Sequence, residues 1–84
     1  MPPINFIEHA LDRMKERGIL DSEVRKTINI GKMTPAKNGR IKYSMTFNVS
    51  DSEKRKLYSK KTVIVIAEKV KNEIDVISVL AKYS

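Results

Sequence analysis

The chain has no cysteine among its 84 residues and only one histidine. Without cysteine it can form neither disulfide bonds nor a thiolate zinc site. With a single histidine, a metal site made of protein ligands alone is not expected, and no cofactor-binding fingerprint occurs. We therefore expect chemistry that uses ordinary side chains, without metal or cofactor. The lack of cysteine is also compatible with a reducing cytoplasm.

Aromatic residues are scarce as well, with no tryptophan and an aromatic content of 6%. Tyr43 and Phe47 fall on the predicted core face of a strand, which leaves Tyr58 and Tyr83 as exposed candidates. Nucleic-acid-binding sheets of the RRM and OB types stack bases on strand aromatics. Both types are therefore disfavoured.

Long apolar runs are absent. No stretch approaches the roughly 18 apolar residues that a membrane span needs. Residues 1–5 have neither the basic nor the apolar region of a secretory signal. We expect one soluble cytoplasmic domain over residues 1–84, with a modest core and no membrane partner.

Positive charge is what the chain has in excess. Seventeen Lys and Arg residues against ten Asp and Glu residues give a formal net charge of +7. A field of this sign attracts polyanions, of which nucleic acid is the commonest. The alternatives are an acidic protein partner and a surface that is merely well hydrated.

The first third of the chain predicts two short helices. Asn5 and Glu8 have the spacing of a capping box at the start of the first helix. Gly18 is expected to end that helix in a left-handed conformation, with Ile19 folding back onto it. Its apolar stripe consists of residues at helical spacing, namely Ile7, Ala10, Leu11 and Met14.

The second predicted helix follows at once. Asp21 or Ser22 is its expected cap, and Val24 and Ile28 are expected to face the core from positions four apart. Gly31 is expected to close it.

The rest of the chain changes to an alternating pattern. Asn38-Gly39 is a type I′ turn signal, and the odd positions of the following segment 40–49 are apolar or Tyr. Residues 33–37 are the expected partner strand, placed at an edge because Pro35 cannot donate a ladder hydrogen bond. Residues 62–67 are continuously apolar or β-branched, as in a strand covered on both faces.

Residues 50–61 have no apolar period and predict a mobile connection. Residues 71–73 predict a turn, and residues 74–83 predict the last strand. Helices first and antiparallel strands afterwards indicate an α+β fold. We expect two N-terminal helices packed on one face of a small, mainly antiparallel sheet of about four strands.

The charges of the first helix are sorted by sign. At 100° per residue, His9, Arg13 and Arg17 fall on one flank of the apolar stripe. Acidic residues occupy the opposite flank, namely Glu8, Asp12 and Glu16. Like charges four apart cost a few tenths of a kcal/mol per pair, so the sorting suggests a functional surface.

The basic flank has the residue types that metal-independent RNA cleavage requires. Histidine can move the 2′-hydroxyl proton or protonate the leaving oxygen near neutral pH. Arginine matches two phosphate oxygens with its donor fork. The alternatives are that His9 packs against Ile4 as a hydrophobic staple and that both arginines lie along the helix–sheet border.

Other polar residues are weaker candidates. Arg40 and Lys42 lie on the polar face of the hairpin strand and either line a basic groove or keep that face hydrated. Ser78 either contacts phosphate or is a hydroxyl satisfied within the sheet. The cluster Lys54-Arg55-Lys56, with Lys60 and Lys61, either steers nucleic acid or is a solvated loop.

The segment His9-Ala10-x-x-Arg13-Met14-x-x-Arg17-Gly18-Ile19, followed by an acid-capped second helix, resembles a known opening. It is similar to that of a small bacterial and archaeal family of unassigned function, grouped with the RelE/ParE-like toxins. The resemblance implies a single RelE-like domain with the metal-independent ribonuclease fold of barnase, colicin and RelE. It marks His9, Arg13 and Arg17 as the family's polar signature.

The last strand departs from the family's pattern. The family often has a threonine followed closely by an aromatic residue. Ser78 stands in place of the threonine, and Leu80 occupies the aromatic neighbourhood. The superfamily also contains gyrase inhibitors and members without activity, so the fold does not determine the function.

Three hypotheses follow. In the first, the protein is a toxin-like endoribonuclease that acts on RNA, with ribosomal association left open, and pairs with an antitoxin protein. His9 is its general base or acid, Arg13 and Arg17 hold the phosphate, and Ser78 and Lys42 are secondary contacts. In the second, it is a non-catalytic basic module that binds nucleic acid or an acidic, antitoxin-like protein. In the third, the edge strand at residues 33–37 pairs with a partner segment.

Overall fold

The computed structural model describes residues 2–48 and 59–84. Two helices and five strands follow one another along the chain, and a short 3-10 turn at Lys37–Gly39 joins the second strand to the third. They are β1 (Ile4–Phe6), α1 (Glu8–Arg17), α2 (Asp21–Ile30), β2 (Lys32–Pro35), β3 (Ile41–Asn48), β4 (Lys60–Val70) and β5 (Glu73–Tyr83).

The strands form one sheet in the order β1-β5-β4-β3-β2. Only the pairing of β1 with β5 is parallel, and the other three pairings are antiparallel. α1 packs on β5, and α2 packs on β3 and β4. The predicted α+β class is confirmed, with five strands where about four were expected. Neither helix in the described ranges is long and apolar enough to cross a membrane.

The additional strand is β1, and it corrects the predicted start of α1. Asn5 lies in β1, where its side-chain amide donates to Glu73 at 2.6 Å and to Asp75 at 3.1 Å. Ile7 precedes the helix in an extended conformation without a side-chain cap. The backbone of this segment is engaged by β5, through Ile74 N to Pro3 O at 2.9 Å and Ile7 N to Val76 O at 3.4 Å. Non-local strand pairing has therefore replaced the local capping box.

α1 attaches to the sheet through a narrower stripe than the sequence suggests. Ala10 and Met14 are buried, whereas Ile7 and Leu11 remain 39% and 48% exposed. Gly18 ends the helix in the left-handed region, as predicted. Ile19 folds back, donating its backbone N–H to Met14 O at 2.9 Å.

α2 begins after Leu20, so neither Asp21 nor Ser22 is its cap. The carboxylate of Glu23 instead accepts the backbone N–H of Leu20 at 2.9 Å. Val24 and Ile28 are buried as predicted. A carboxylate in the first turn satisfies a free N–H and is favoured by the helix dipole.

The predicted hairpin is confirmed. Asn38 and Gly39 both have positive φ, as a type I′ turn requires. Arg40 N donates to Lys37 O at 3.2 Å across the turn. β2 is a short edge strand, as predicted, but it covers Lys32–Pro35 instead of residues 33–37.

β4 is the central strand and is longer than the predicted segment 62–67. Val63, Ile64 and Val65 are all buried, which confirms that both faces of its middle are covered. The turn at residues 71–72 and the long β5 also agree with the sequence pattern. The predicted connection 50–61 is too long, because Lys60 and Lys61 belong to β4. Its residues 50–58 lie outside the described part of the chain.

Candidate functional site

The basic flank of α1 brings two of the predicted catalytic residues together. His9 is exposed, so it is not packed against Ile4 as a hydrophobic staple. Its Nε2 lies 3.5 Å from Nε of Arg13, which donates to it, and Nη1 of Arg13 also contacts Glu16 Oε2 at 3.2 Å. Because the contact with Arg13 uses the Nε2 lone pair, His9 can act as a base at that nitrogen only if Arg13 moves away.

Arg17 has a different position from its two predicted partners. β1 pairs with β5 only as far as Val76. Three residues further along β5, Nη1 of Arg17 donates to the backbone oxygen of Val79 at 2.8 Å. A strand carbonyl that is partly buried is thereby satisfied by a charged donor. The observed contact of Arg17 is structural.

Ser78 lies on the other side of the sheet from α1. Val79 belongs to the core beneath the helices and is directly opposite Val65, which is also in the core. Ser78 is the preceding residue and is directly opposite Ile66, so its side chain has the reverse direction. Ile77 is the extra residue of a β-bulge that shifts the register at this point.

The predicted site residues are therefore divided between two surfaces. His9, Arg13 and Arg17 are on the helix layer. Lys42 is opposite Ile66, so it shares with Ser78 the face of the sheet on which neither helix packs. We call this surface the helix-free face. The structure does not bring His9, Arg13 and Ser78 into one cleft.

The helix-free face combines cations, hydroxyls and a small apolar centre. The register assigns each member to this face, because strand neighbours directly opposite one another point to the same side. The lysines are Lys32, Lys42, Lys60 and Lys82; the hydroxyl residues are Thr34, Ser44, Thr46, Thr62 and Ser78; the apolar residues are Ile64, Ile66 and Leu80. All four lysines are exposed, and none forms an ion pair with another residue in the ranges 2–48 and 59–84.

One end of the helix-free face carries the opposite charge. Arg40, a predicted nucleic-acid contact, has its Nε 3.6 Å from Glu68 Oε2. Glu68 is directly opposite Asp75, which accepts the hydrogen bond from Asn5. Lys60 and Lys82 lie at the opposite end of the strands, and Lys42 is two residues from Arg40, so positive charge increases along the strands away from Glu68.

Lys54, Arg55 and Lys56 lie outside the described residues, as does Tyr58. Their predicted contacts with nucleic acid stay predictions. Tyr83 is half-buried.

Lys61 differs from the prediction for the basic cluster, in which it either steers nucleic acid or belongs to a solvated loop. Its side chain is buried, and Nζ donates to the backbone oxygen of Gly18 at 2.6 Å and to Glu23 Oε1 at 2.9 Å. One lysine thereby connects the start of β4 to the turn between the helices. The only feature of the sequence that indicates burial of Lys61 is its position next to a continuous apolar run. A run of charged residues does not by itself show which lysine is buried.

Among the described residues, no group of three or more His, Asp or Glu side chains is arranged to hold a metal ion. No family model matches the chain, and neither a curated protein nor a solved structure matches it significantly.

Proposed function

We propose that the protein binds the sugar–phosphate backbone of nucleic acid on the helix-free face of its sheet. The observation that carries this proposal is the set of exposed lysines on that face that have no carboxylate partner in the described residues. Unpaired lysines can neutralise phosphates and release counterions, which is the main source of affinity in non-specific binding.

The neighbouring hydroxyls support the same function. Thr46 and Thr62 lie side by side, with their hydroxyl oxygens 2.9 Å apart. Each hydroxyl has one donor and two acceptor positions, so the pair retains capacity for a sugar or phosphate oxygen. Phosphate contacts of this kind fix the position of the ligand without selecting a base sequence.

The first test compares two lysines that differ in location but not in charge. Lys42→Gln removes a cation from the helix-free face, and Lys26→Gln removes an exposed cation from α2 on the opposite side. We expect Lys42→Gln to weaken binding of a fluorescein-labelled 12-nucleotide RNA by about threefold to tenfold and to reduce the salt slope by about one unit. Lys26→Gln should leave both nearly unchanged. Equal effects of the two substitutions, or no binding at low salt, would rule out the assignment to this face.

A metal-independent endoribonuclease is the second candidate, and the exposure of His9 beside Arg13 favours it. Here Arg13 leaves His9 Nε2 and contacts the phosphate. His9 takes the proton of the 2′-hydroxyl as its oxygen attacks phosphorus, and this proton then passes to the 5′-oxygen as the bond between that oxygen and phosphorus breaks. The test is cleavage of labelled RNA in EDTA by the wild type and by His9→Ala purified in parallel. Cleavage only by the wild type supports the catalytic function, whereas equal cleavage by both proteins, or none by either, removes it.

An acidic protein is the competing occupant of the helix-free face. It would contact the same lysines, but through carboxylates instead of phosphates. The test is competition between RNA and an acidic peptide of equal charge and concentration for the wild-type protein. If the face binds the sugar–phosphate backbone, the protein should retain RNA.

A further inference from the structure

α1 has a groove along its outer side that neither the sheet nor α2 fills. The groove has a volume of about 490 Å³, and three apolar side chains, Leu11, Met14 and Ile19, contribute to its lining. Leu11 is 48% exposed, although it belongs to the apolar stripe that the sequence assigned to the core. Leu11 therefore presents apolar surface at the open side of the groove.

The shape of this surface matches a helix. The α1 residues of the lining that project outward are Glu8, Leu11, Asp12 and Lys15, which have the i, i+3, i+4, i+7 spacing of a single stripe. Such a stripe spans about 10 Å of helix axis. Helices pack against each other along stripes of this kind.

The charged residues that line the groove indicate which kind of partner it binds. Glu8 and Asp12 lie on the acidic flank of α1, and neither has a cationic partner within 2–48 and 59–84. Both arginines of the basic flank have partners, because Arg17 donates a hydrogen bond to β5 and Arg13 pairs with Glu16. The groove therefore has two unpaired carboxylates and one lysine, Lys15, around an apolar centre, which gives its lining a formal charge of −1.

We propose that the groove along α1 binds a basic amphipathic helix of another protein. Its apolar face would lie on Leu11, and its lysines or arginines would approach Glu8 and Asp12. This inference is independent of nucleic-acid binding, because the groove and the helix-free face lie on opposite sides of the sheet.

The net charge of the protein makes the test stringent. At +7 the chain as a whole repels a cationic peptide. Binding of such a peptide must therefore come from a local acidic surface. The probe is a designed 14-residue helical peptide with leucines on one face and lysines beside them, and the control peptide replaces each lysine with glutamine, which the lysines of the helix-free face do not attract.

The experiment measures both peptides by fluorescence anisotropy against the wild type and three variants. We expect the wild type to prefer the lysine peptide by at least about tenfold and the double variant Glu8→Lys, Asp12→Lys to prefer the glutamine peptide. Leu11→Asp should weaken both peptides about tenfold or more. Glu73→Lys, at the start of β5, raises the net charge by two, against four for the double variant, and should leave the preference unchanged.

Three results would overturn the proposal: no preference of the wild type for the lysine peptide, binding unaffected by Leu11→Asp, and the same change of preference in Glu73→Lys. A fourth is a wild-type dimer in sedimentation equilibrium that Leu11→Asp dissociates, because a second copy would then occupy the groove. Unchanged thermal unfolding of the exposed-site variants separates loss of the surface from loss of the fold.

Discussion

Gly31 lies close to the backbone of both Thr27 and Ser44. Its φ is −75°, which any residue can adopt, so conformational freedom does not explain the glycine. A Cβ atom at this position would lie 2.3 Å from Thr27 O and 2.7 Å from Ser44 O. Both are backbone atoms, which cannot rotate away as a flexible side chain could. The chain leaves α2 and enters β2 here, close to β3.

We predict that Gly31→Ala lowers the free energy of unfolding by about 2–3 kcal/mol, because the added methyl group forces the two backbones apart. Gly18→Ala is the control, since a Cβ there has open space and meets only the strain of positive φ. That strain costs about 1–2 kcal/mol. Urea denaturation of both variants measures the two losses of stability. A smaller loss of unfolding free energy for Gly31→Ala than for Gly18→Ala would contradict the packing argument.

Lys61 and Glu23 form the most buried ion pair among the described residues, with side chains 2% and 11% exposed. We predict that Lys61→Met destabilises the protein by about 3 kcal/mol, because Glu23 then loses its compensating charge. Adding Glu23→Gln should recover about 1–2 kcal/mol of that loss, since no unpaired charge remains and the amide oxygen can still accept the Leu20 N–H. A double-mutant cycle in urea measures the coupling, and additive effects would contradict it.

Arg17 provides a hydrogen bond to β5 where pairing with β1 has ended. Beyond Val76, β5 is no longer paired with β1, and the guanidinium group supplies a donor to the Val79 carbonyl at that edge. We predict that Arg17→Met lowers the free energy of unfolding by about 1–2 kcal/mol, in line with the loss of a partly shielded, charged hydrogen bond.

Arg13→Met is the matched control, because the ion pair of Arg13 with Glu16 is exposed and is worth less than about 0.5 kcal/mol. Chemical denaturation and amide exchange near Val79 provide the measurements. If the two substitutions cost the same, the structural role of Arg17 is wrong.

The elements that could be predicted from the sequence are those with a long periodic signal. α2, the type I′ turn, β3, β4 and β5 were predicted because their patterns and turn residues are local. β1 was missed because three residues are too few for a period, and the hydrogen bonds that define it come from β5, about 70 positions away. The same long-range pairing overrode the Asn5 cap.

At the scale of the whole molecule, side chains that the sequence grouped together are separated by the sheet. A helical wheel correctly placed His9 next to Arg13. It could not show that Ser78 faces away from α1, because that depends on the strand register and on the bulge at Ile77. Lys61 likewise belongs to a charge run in the sequence but is buried against the turn between the helices.

The charges of the whole chain are arranged as distinct surfaces. Unpaired lysines surround hydroxyls and a small apolar centre on the helix-free face, and the acidic flank of α1 lies in the helix layer. A single net charge of +7 conceals this division. We therefore expect polyanions to bind on one side of the molecule and a cationic partner on the other.

The most direct test of the central assignment is a titration of the methyl-labelled protein with a 12-nucleotide RNA, followed by two-dimensional NMR. We predict that the perturbed methyl groups are those of Thr46, Thr62, Ile66 and Leu80 on the helix-free face, while those of Ala10, Leu11 and Val24 in the helix layer do not shift. Perturbations confined to methyl groups of the helix layer, such as those of Ala10 and Val24, would contradict the assignment, as would the absence of any shift at low salt.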